Sequence, residues 1–383
     1  MIKVALVRAK YLNRYEGQNF IFDNKKIQIT GFGSLITLHS SMPFSVKTLP
    51  SIADVETFPL LQNLPFFSKA VSYVSNRIIG DRQILFGLEK MAYDYDIFHA
   101  GDTHYYYSYQ LAKLRKQGKI KRLIITSWET IPFNNESVRR KKYIKSVTRM
   151  AADRFICYTM RARQALITEG VDAKKIDVVR LGVDLSKFKL QTSNIKLQNS
   201  NVKTILFVGR LVEEKGILDL YDAFKSFLSR ISYKVSLRII GSGPLKNKLR
   251  AMIRQDGLEN HISLESKKYE EMSSVYRTAD IFVLPSKRTK TWEEQYGMVL
   301  VEAMASGIPI VATRSGSIPE IVADAAILVG ESDRQKLAQA ILGLTEDEPK
   351  RQRLGRMGRE RAEKYFDSRK TAKAIGRIYK RLM

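Results

Sequence analysis

The chain has 383 residues, 44% of them hydrophobic and 27% charged, a balance that excludes a disordered or fibrous protein and at about 100–200 residues per domain points to two domains. Its formal net charge of +26 favours polyanions, whether nucleic acid, anionic lipid or phosphorylated small molecules, without choosing among them. No apolar run nears the roughly 20 residues that span a bilayer, and the lone Cys157 excludes an internal disulfide and fits a reducing, cytoplasmic compartment.

The opening segment MIKVALVRAK, interrupted by Lys3 and Arg8, reads as a first strand rather than a signal peptide. Leu64, Phe67, Val71, Val74 and Ile78 recur at helical steps and predict an amphipathic helix. The brief apolar runs DIFHA, RLIITS and RFICYT predict strands. Asp94-Tyr95-Asp96 resembles a metal-binding Asp-x-Asp, but it precedes its strand, at the wrong end for a site on the carboxyl rim, and a structural role is expected. Basic clusters stand at 113–122, 139–145, 350–359 and in the last helix, each readable as a solvated helix face.

The polar stretch Leu190–Lys203 reads as a linker, after which the pattern restarts with TILFVGR, KVSLRIIGSG, HISLES, DIFVLPS, IPIVAT and AAILVG. Strand alternating with helix implies right-handed crossovers and covered parallel sheets. The expected class is therefore α/β, with two Rossmann-like domains facing across a cleft.

Beyond strand TILFVGR a loop carries Arg210 and Lys215 to the carboxyl rim, where a parallel domain binds ligands. Arg210 can fork two donors onto phosphate oxygens and Lys215 adds a compact charge, although both also fit a solvated loop. Gly241-Ser242-Gly243 has Lys246 where a dinucleotide fingerprint would have its third glycine, so a tight turn, not NAD, is inferred. Gly297 opens a helix whose first N–H groups, at Met298 and Val299, can cradle a phosphate or hydroxyl. Glu294 before that helix and Glu302 within it would repel phosphate and suit sugar hydroxyls; the structural reading makes them a loop charge and an ion-pair partner.

In order, LGVDLSKF, GRLVEEKG, IIGSGPLKNKL, YRTADIFVLPS, EQYGMVLVEAMASGIPIVAT and GSIPEIV resemble the donor-binding domain of family 4 retaining glycosyltransferases, with the two-domain GT-B fold, over roughly Arg180–Val329. The resemblance implies Arg210 and Lys215 on the donor diphosphate, Glu302 on the ribose, Glu294 on the transferred sugar, and backbone at Gly297, Met298 and Val299 against sugar and phosphate. It implies an acceptor domain at 1–188 completed by a helix at 369–383, and a donor domain at 200–364. Trp128 in ITSWETIPF stands where many members have histidine, which leaves Glu129, His104 and His99 as acceptor-side candidates. Gly17 in RYEGQNF is a candidate neighbour of the diphosphate.

The expected activity is hexosyl transfer from a nucleotide sugar to a hydroxyl acceptor, with retention and without cofactor or metal. The acceptor is expected to be a glycan or lipid-linked, with the enzyme held by its basic surface on the inner face of an anionic membrane, in polysaccharide or glycolipid biosynthesis. The rival readings are a retaining glycoside hydrolase, which also needs two carboxylates, and a basic nucleic-acid-binding protein, for which no zinc-finger or RNA-recognition signature is present.

Overall fold

The computed structural model describes residues 1–23, 26–36, 42–57, 80–188 and 202–383. Contacts divide them into two compact units, Met1–Leu181 with Ser368–Met383, and Gly182–Asp367. The expected helix through Leu64, Phe67, Val71, Val74 and Ile78 lies outside the described residues, as does most of the Leu190–Lys203 stretch.

In the first unit the described strands are β1 (Ile2–Val7), β2 (Ile27–Gly33), β3 (Ser45–Thr48), β4 (Ile97–Gly101), β5 (Leu123–Ser127), β6 (Arg154–Cys157) and β7 (Ile176–Val178). They pair in the order β3-β2-β1-β4-β5-β6-β7, all parallel, with Leu6 opposite His99 and Ala100 opposite Ile125. Because helices cover both faces of a parallel sheet, β4 and β5 are buried along their whole length, and their mainly apolar runs carry His99, Thr126 and Ser127 as buried polar residues. Three of the seven, β2, β3 and β7, are harder to read: β2 holds Gly31 and Gly33, β3 is a largely exposed edge, and β7 has three residues.

Ser368–Leu382, the last helix, belongs to this unit. It buries Ala372, Ile375, Ile378 and Tyr379, and at Gly376 an added Cβ would come within 3.2 Å of Phe22 and 3.3 Å of Ile27. Each large apolar side chain so buried is worth about 1.5–3 kcal/mol. The Tyr379 hydroxyl reaches His99 Nδ1 at 2.7 Å, and Thr126 Oγ1 meets His99 Nε2 at 2.6 Å.

Asp96 marks the amino end of β4. Its N–H donates to Lys3 O, its carboxylate accepts from Lys3 N at 3.0 Å, and Lys121 pairs with it at 2.8 Å. Those contacts account for Asp96 structurally, whereas Asp94 is exposed. On helix Arg139–Ala151, Lys145, the last member of the 139–145 run, turns inward and together with Arg149, beyond the run, forms a buried network with Glu136 and Glu169 at 2.7–3.2 Å. That part of the cluster is not a solvated face.

In the second unit β8 (Val202–Val208), β9 (Lys234–Ile240), β10 (Ile262–Glu265), β11 (Ile281–Leu284), β12 (Ile310–Thr313) and β13 (Ala326–Val329) pair in the order β10-β9-β8-β11-β12-β13, again parallel. Strand order reverses between β8 and β11, the switch point beyond whose carboxyl ends open α/β sheets bind ligands. Residues 182–188 group with this unit: Val183 N donates to Phe366 O at 2.9 Å, and Arg359 Nη1 to Phe188 O at 2.6 Å. Each unit is thus a Rossmann-like α/β domain.

Candidate active site

Backbone packing fixes the loop after β8. Gly241 and Gly243 let the turn after β9 come so close that added side chains would lie 1.9 Å from Gly209 O and 2.6 Å from Leu211 O. Leu211 N donates to Ser242 O at 2.8 Å and Leu245 N to Leu211 O at 3.0 Å, so the Gly-Ser-Gly turn braces the cationic loop. Gly216, at φ +66°, lies against Pro285 O, where a Cβ would be 1.9 Å away. The loop is thereby held beside the segment that follows β11.

Lys215 Nζ donates to Glu294 Oε2 at 2.6 Å, and Ser286 Oγ donates to the same oxygen at 2.7 Å. The ammonium also sits 5.0 Å from the centre of the Trp292 ring, a cation–π contact. Glu294 itself is fixed through its backbone: Ser317 N donates to Glu294 O at 2.8 Å, and Gly316, at φ +52°, leaves no room for a Cβ, which would fall 2.2 Å from that oxygen. The structure therefore joins two residues that the sequence reading gave to different parts of a ligand. The reason is electrostatic: a carboxylate this buried needs a cation and hydrogen bonds. An ammonium has three donors, so Lys215 can keep Glu294 and still reach a phosphate.

Arg210 is held differently. Its side chain is 62% exposed and among the described residues pairs with Glu214 alone, at 3.4 Å, a surface pair worth at most about 1 kcal/mol. It is free to reorient onto an anion.

Gly297, at φ +80°, caps the helix Met298–Ala305, and Leu300 N closes its first turn on Gly297 O at 2.8 Å. Met298 and Val299 are half-buried, with no acidic side chain in that turn. Glu302, one turn on, is buried; its Oε2 accepts from Tyr276 Oη at 2.7 Å, whereas Oε1 is buried with no partner among the described residues. Burial pushes this carboxyl up to about 7, against the pull of the Tyr276 hydrogen bond. Among the described residues it has no ion-pair partner. Tyr276, Ser286, Trp292 and Gly316 were not singled out by sequence as site residues, although Tyr276 opens the motif YRTADIFVLPS and Gly316 opens GSIPEIV just beyond strand IPIVAT.

The remaining candidates lie in the first unit. Glu129 follows β5 and folds back on its own loop: Oε1 accepts from Thr130 N and Ile131 N, each at 3.0 Å, and Oε2 from Asn134 Nδ2 at 2.9 Å. Burial, with some help from Asp102, raises its pKa to about 7. Asp102 binds the same loop, accepting from Ser127 Oγ, Trp128 N and Glu129 N at 3.0–3.3 Å. His104 is half-buried with its ring 4.2 Å from that of Tyr105; burial lowers its pKa while Asp102 and Asp81 oppose. His99 is sealed in the core between Tyr379 and Thr126, and burial and Arg8 hold it well below its usual value, so its contacts account for it structurally. Gly17 is buried in the short helix Arg14–Gly17 against Met42 and Phe44, where an added Cβ would meet Met42 Cε at 2.6 Å. Local packing explains that glycine.

Among the described residues no group of three or more His, Cys, Asp or Glu side chains could hold a metal, and no helix is long and apolar enough to cross a membrane.

Residues 189–361 match the family described as Glycosyl transferases group 1, and residues 36–187 match Glycosyltransferase Family 4. The amylovoran biosynthesis glycosyltransferase AmsK of Erwinia amylovora is 31% identical over 221 residues, 57% of this chain and 53% of its own length. A D-inositol 3-phosphate glycosyltransferase of Corynebacterium urealyticum is 28% identical over 319 residues, 75% of this chain and 72% of its own. The chain spans about half the length of the first curated relatives it matches. Anabaena HepE, solved in complex with UDP, matches with a TM-score of 0.75 at 18% identity over 99% of both chains, a likeness of fold that identifies the architecture as GT-B.

Proposed function

The chain belongs to the group 1, family 4 glycosyltransferases, and from that premise we propose that it moves a hexosyl group from a nucleotide sugar to a hydroxyl acceptor with retention at the anomeric carbon. The observation that carries this reading is the clustering of Lys215, Glu294 and Ser286 beyond β11, with helix Met298–Ala305 opening at Gly297 close behind. A cation and free N–H groups suit a diphosphate, and a carboxylate suits sugar hydroxyls.

In the proposed step the bond from the anomeric carbon to the diphosphate oxygen breaks as the acceptor oxygen bonds to the same face of that carbon. The acceptor proton passes to the departing phosphate oxygen. Arg210, Lys215 and the N–H groups of Met298 and Val299 stabilise the negative charge that grows on the diphosphate. Glu294 holds hydroxyls of the transferred sugar and Glu302 those of the ribose. Charge neutralisation by side chains and helix N–H groups requires no metal.

Support for a glycan or lipid-linked acceptor comes from relatives such as AmsK, named for amylovoran biosynthesis, and HepE, seen with UDP, supports a nucleotide-sugar donor. The net charge of +26 favours work at an anionic membrane face in the cytoplasm, where each basic residue near the surface adds about 1 kcal/mol. Incubation with a panel of nucleotide sugars and acceptors, with the product anomer assigned by NMR, tests the reading. Transfer with the donor's anomeric configuration supports it; inversion, or sugar release from glycans without any nucleotide sugar, contradicts it.

A further inference from the structure

We propose that Tyr276 is a positioning residue for nucleotide recognition: its phenol fixes one oxygen of Glu302 so that the other is presented to a ribose hydroxyl, and the pair thereby selects ribonucleotides over deoxyribonucleotides. This rests on the reading of Glu302 as the ribose acceptor given above.

The geometry has three parts. Tyr276 is fully buried on the helix Met272–Arg277, and its ring meets Phe188 and Phe282 edge-on or tilted, with centroids 5.9 and 5.8 Å away. Aromatic contacts of that kind, in a densely packed interior, leave the ring little room to swing. Its hydroxyl has one proton to give, and Glu302 Oε2 at 2.7 Å takes it, Val299 O being farther at 3.4 Å. Among the described residues Glu302 Oε1 is then left buried without a donor. A buried acceptor in that state is costly to the folded protein, and a ligand hydroxyl that reaches it removes the cost. A ligand lacking that hydroxyl gains nothing there, so the site discriminates by one hydrogen bond to a fixed, desolvated carboxyl group.

Tyr276→Phe keeps the ring and removes the donor. Glu302 then loses the hydrogen bond that opposes the effect of burial, its pKa rises further, and its carboxylate is no longer held in one orientation.

The test uses calorimetric binding of ADP, GDP and UDP to the full chain, then of the tightest binder's 2′-deoxy and 3′-deoxy analogues. Wild-type protein should prefer the ribonucleotide to at least one analogue by about tenfold or more. Y276F should bind the ribonucleotide about tenfold more weakly and the analogue as before, and should move the pH midpoint of ribonucleotide binding upward. Unchanged analogue affinity reports an intact fold. If E302Q abolishes the preference and Y276F keeps it, the role of Tyr276 is overturned while the ribose reading survives. If wild type shows no preference, or E302Q retains it, the ribose reading itself fails. Should Y276F not fold, Phe282→Leu, which loosens the ring but keeps the phenol, should weaken the preference, and an unchanged preference would overturn the proposal.

Discussion

Lys215 and Glu294, 79 residues apart in sequence, meet at 2.6 Å beyond the carboxyl ends of β8 and β11, and Ser286 shares the same carboxylate oxygen. The ammonium that would face a diphosphate thus already serves a buried anion. Two consequences separate at once, one for stability and one for activity.

Lys215→Gln leaves Glu294 buried with Ser286 but without its cation. Breaking such a pair costs about 3 kcal/mol, and transfer should fall about 100-fold or more. Arg210→Ala should lower transfer similarly while changing stability by less than about 0.5 kcal/mol, because that side chain is mostly exposed. Denaturant unfolding and steady-state rates on both variants separate the two cations; equal stability losses would contradict the assignment.

Gly316→Ala places a Cβ 2.2 Å from Glu294 O at a backbone φ of +52°, so backbone must move. It should destabilise the protein by about 2 kcal/mol or more and displace Glu294, with a matching loss of transfer. Gly343, inside the helix Arg334–Glu346, has nothing within 4 Å of an added Cβ. Gly343→Ala should instead stabilise by about 0.4–1 kcal/mol with activity unchanged. Thermal unfolding of the pair checks both signs.

Glu302 and Glu129 both have carboxyl groups raised by burial from 4.5 to about 7. A raised folded-state pKa means that the native chain binds the proton more tightly than the unfolded one. The stability linked to each group is complete below about pH 4.5 and is lost as pH climbs through about 7. Glu302→Gln should therefore flatten the decline in unfolding free energy between those values, by at most about 3 kcal/mol. Unfolding titrations at pH 4.5, 6 and 7.5 read this directly, and a steeper decline in the variant would contradict it.

The central strands were legible because β11 and β12 are short, mainly apolar runs, and from those runs the sequence could place Arg210, Lys215 and Glu294 in loops beyond strands, Gly297 at a helix start and Glu302 within that helix. What sequence could not show depends on contacts between distant residues. Arg8 looked like a mere interruption of the first strand, yet it is buried in an ion pair with Glu16 at 2.7 Å and donates to His99 O and Thr126 Oγ1, while Tyr158 Oη joins Glu16 at 2.8 Å. His99 was a candidate base until Tyr379, 280 residues away, accounted for its Nδ1. The Gly-Ser-Gly stretch reads in sequence as a tight turn, but its use as a brace for Gly209 and Leu211 appears only in three dimensions.

That core role gives His99 its own expected outcome. His99→Leu removes partners from Thr126 and Tyr379 and should destabilise by about 1–3 kcal/mol. Transfer by the fraction still folded at low temperature should stay within a few-fold of wild type; a large loss of turnover with stability intact would restore His99 as an acceptor-side base.

A crystal structure of the chain with a bound nucleoside diphosphate tests the central claim most directly. The account predicts diphosphate oxygens within hydrogen-bond reach of Arg210, Lys215 and the N–H groups of Met298 and Val299, with a ribose hydroxyl on Glu302 Oε1. A nucleotide bound away from these groups, with the Lys215–Glu294 pair and Glu302 untouched, would contradict it.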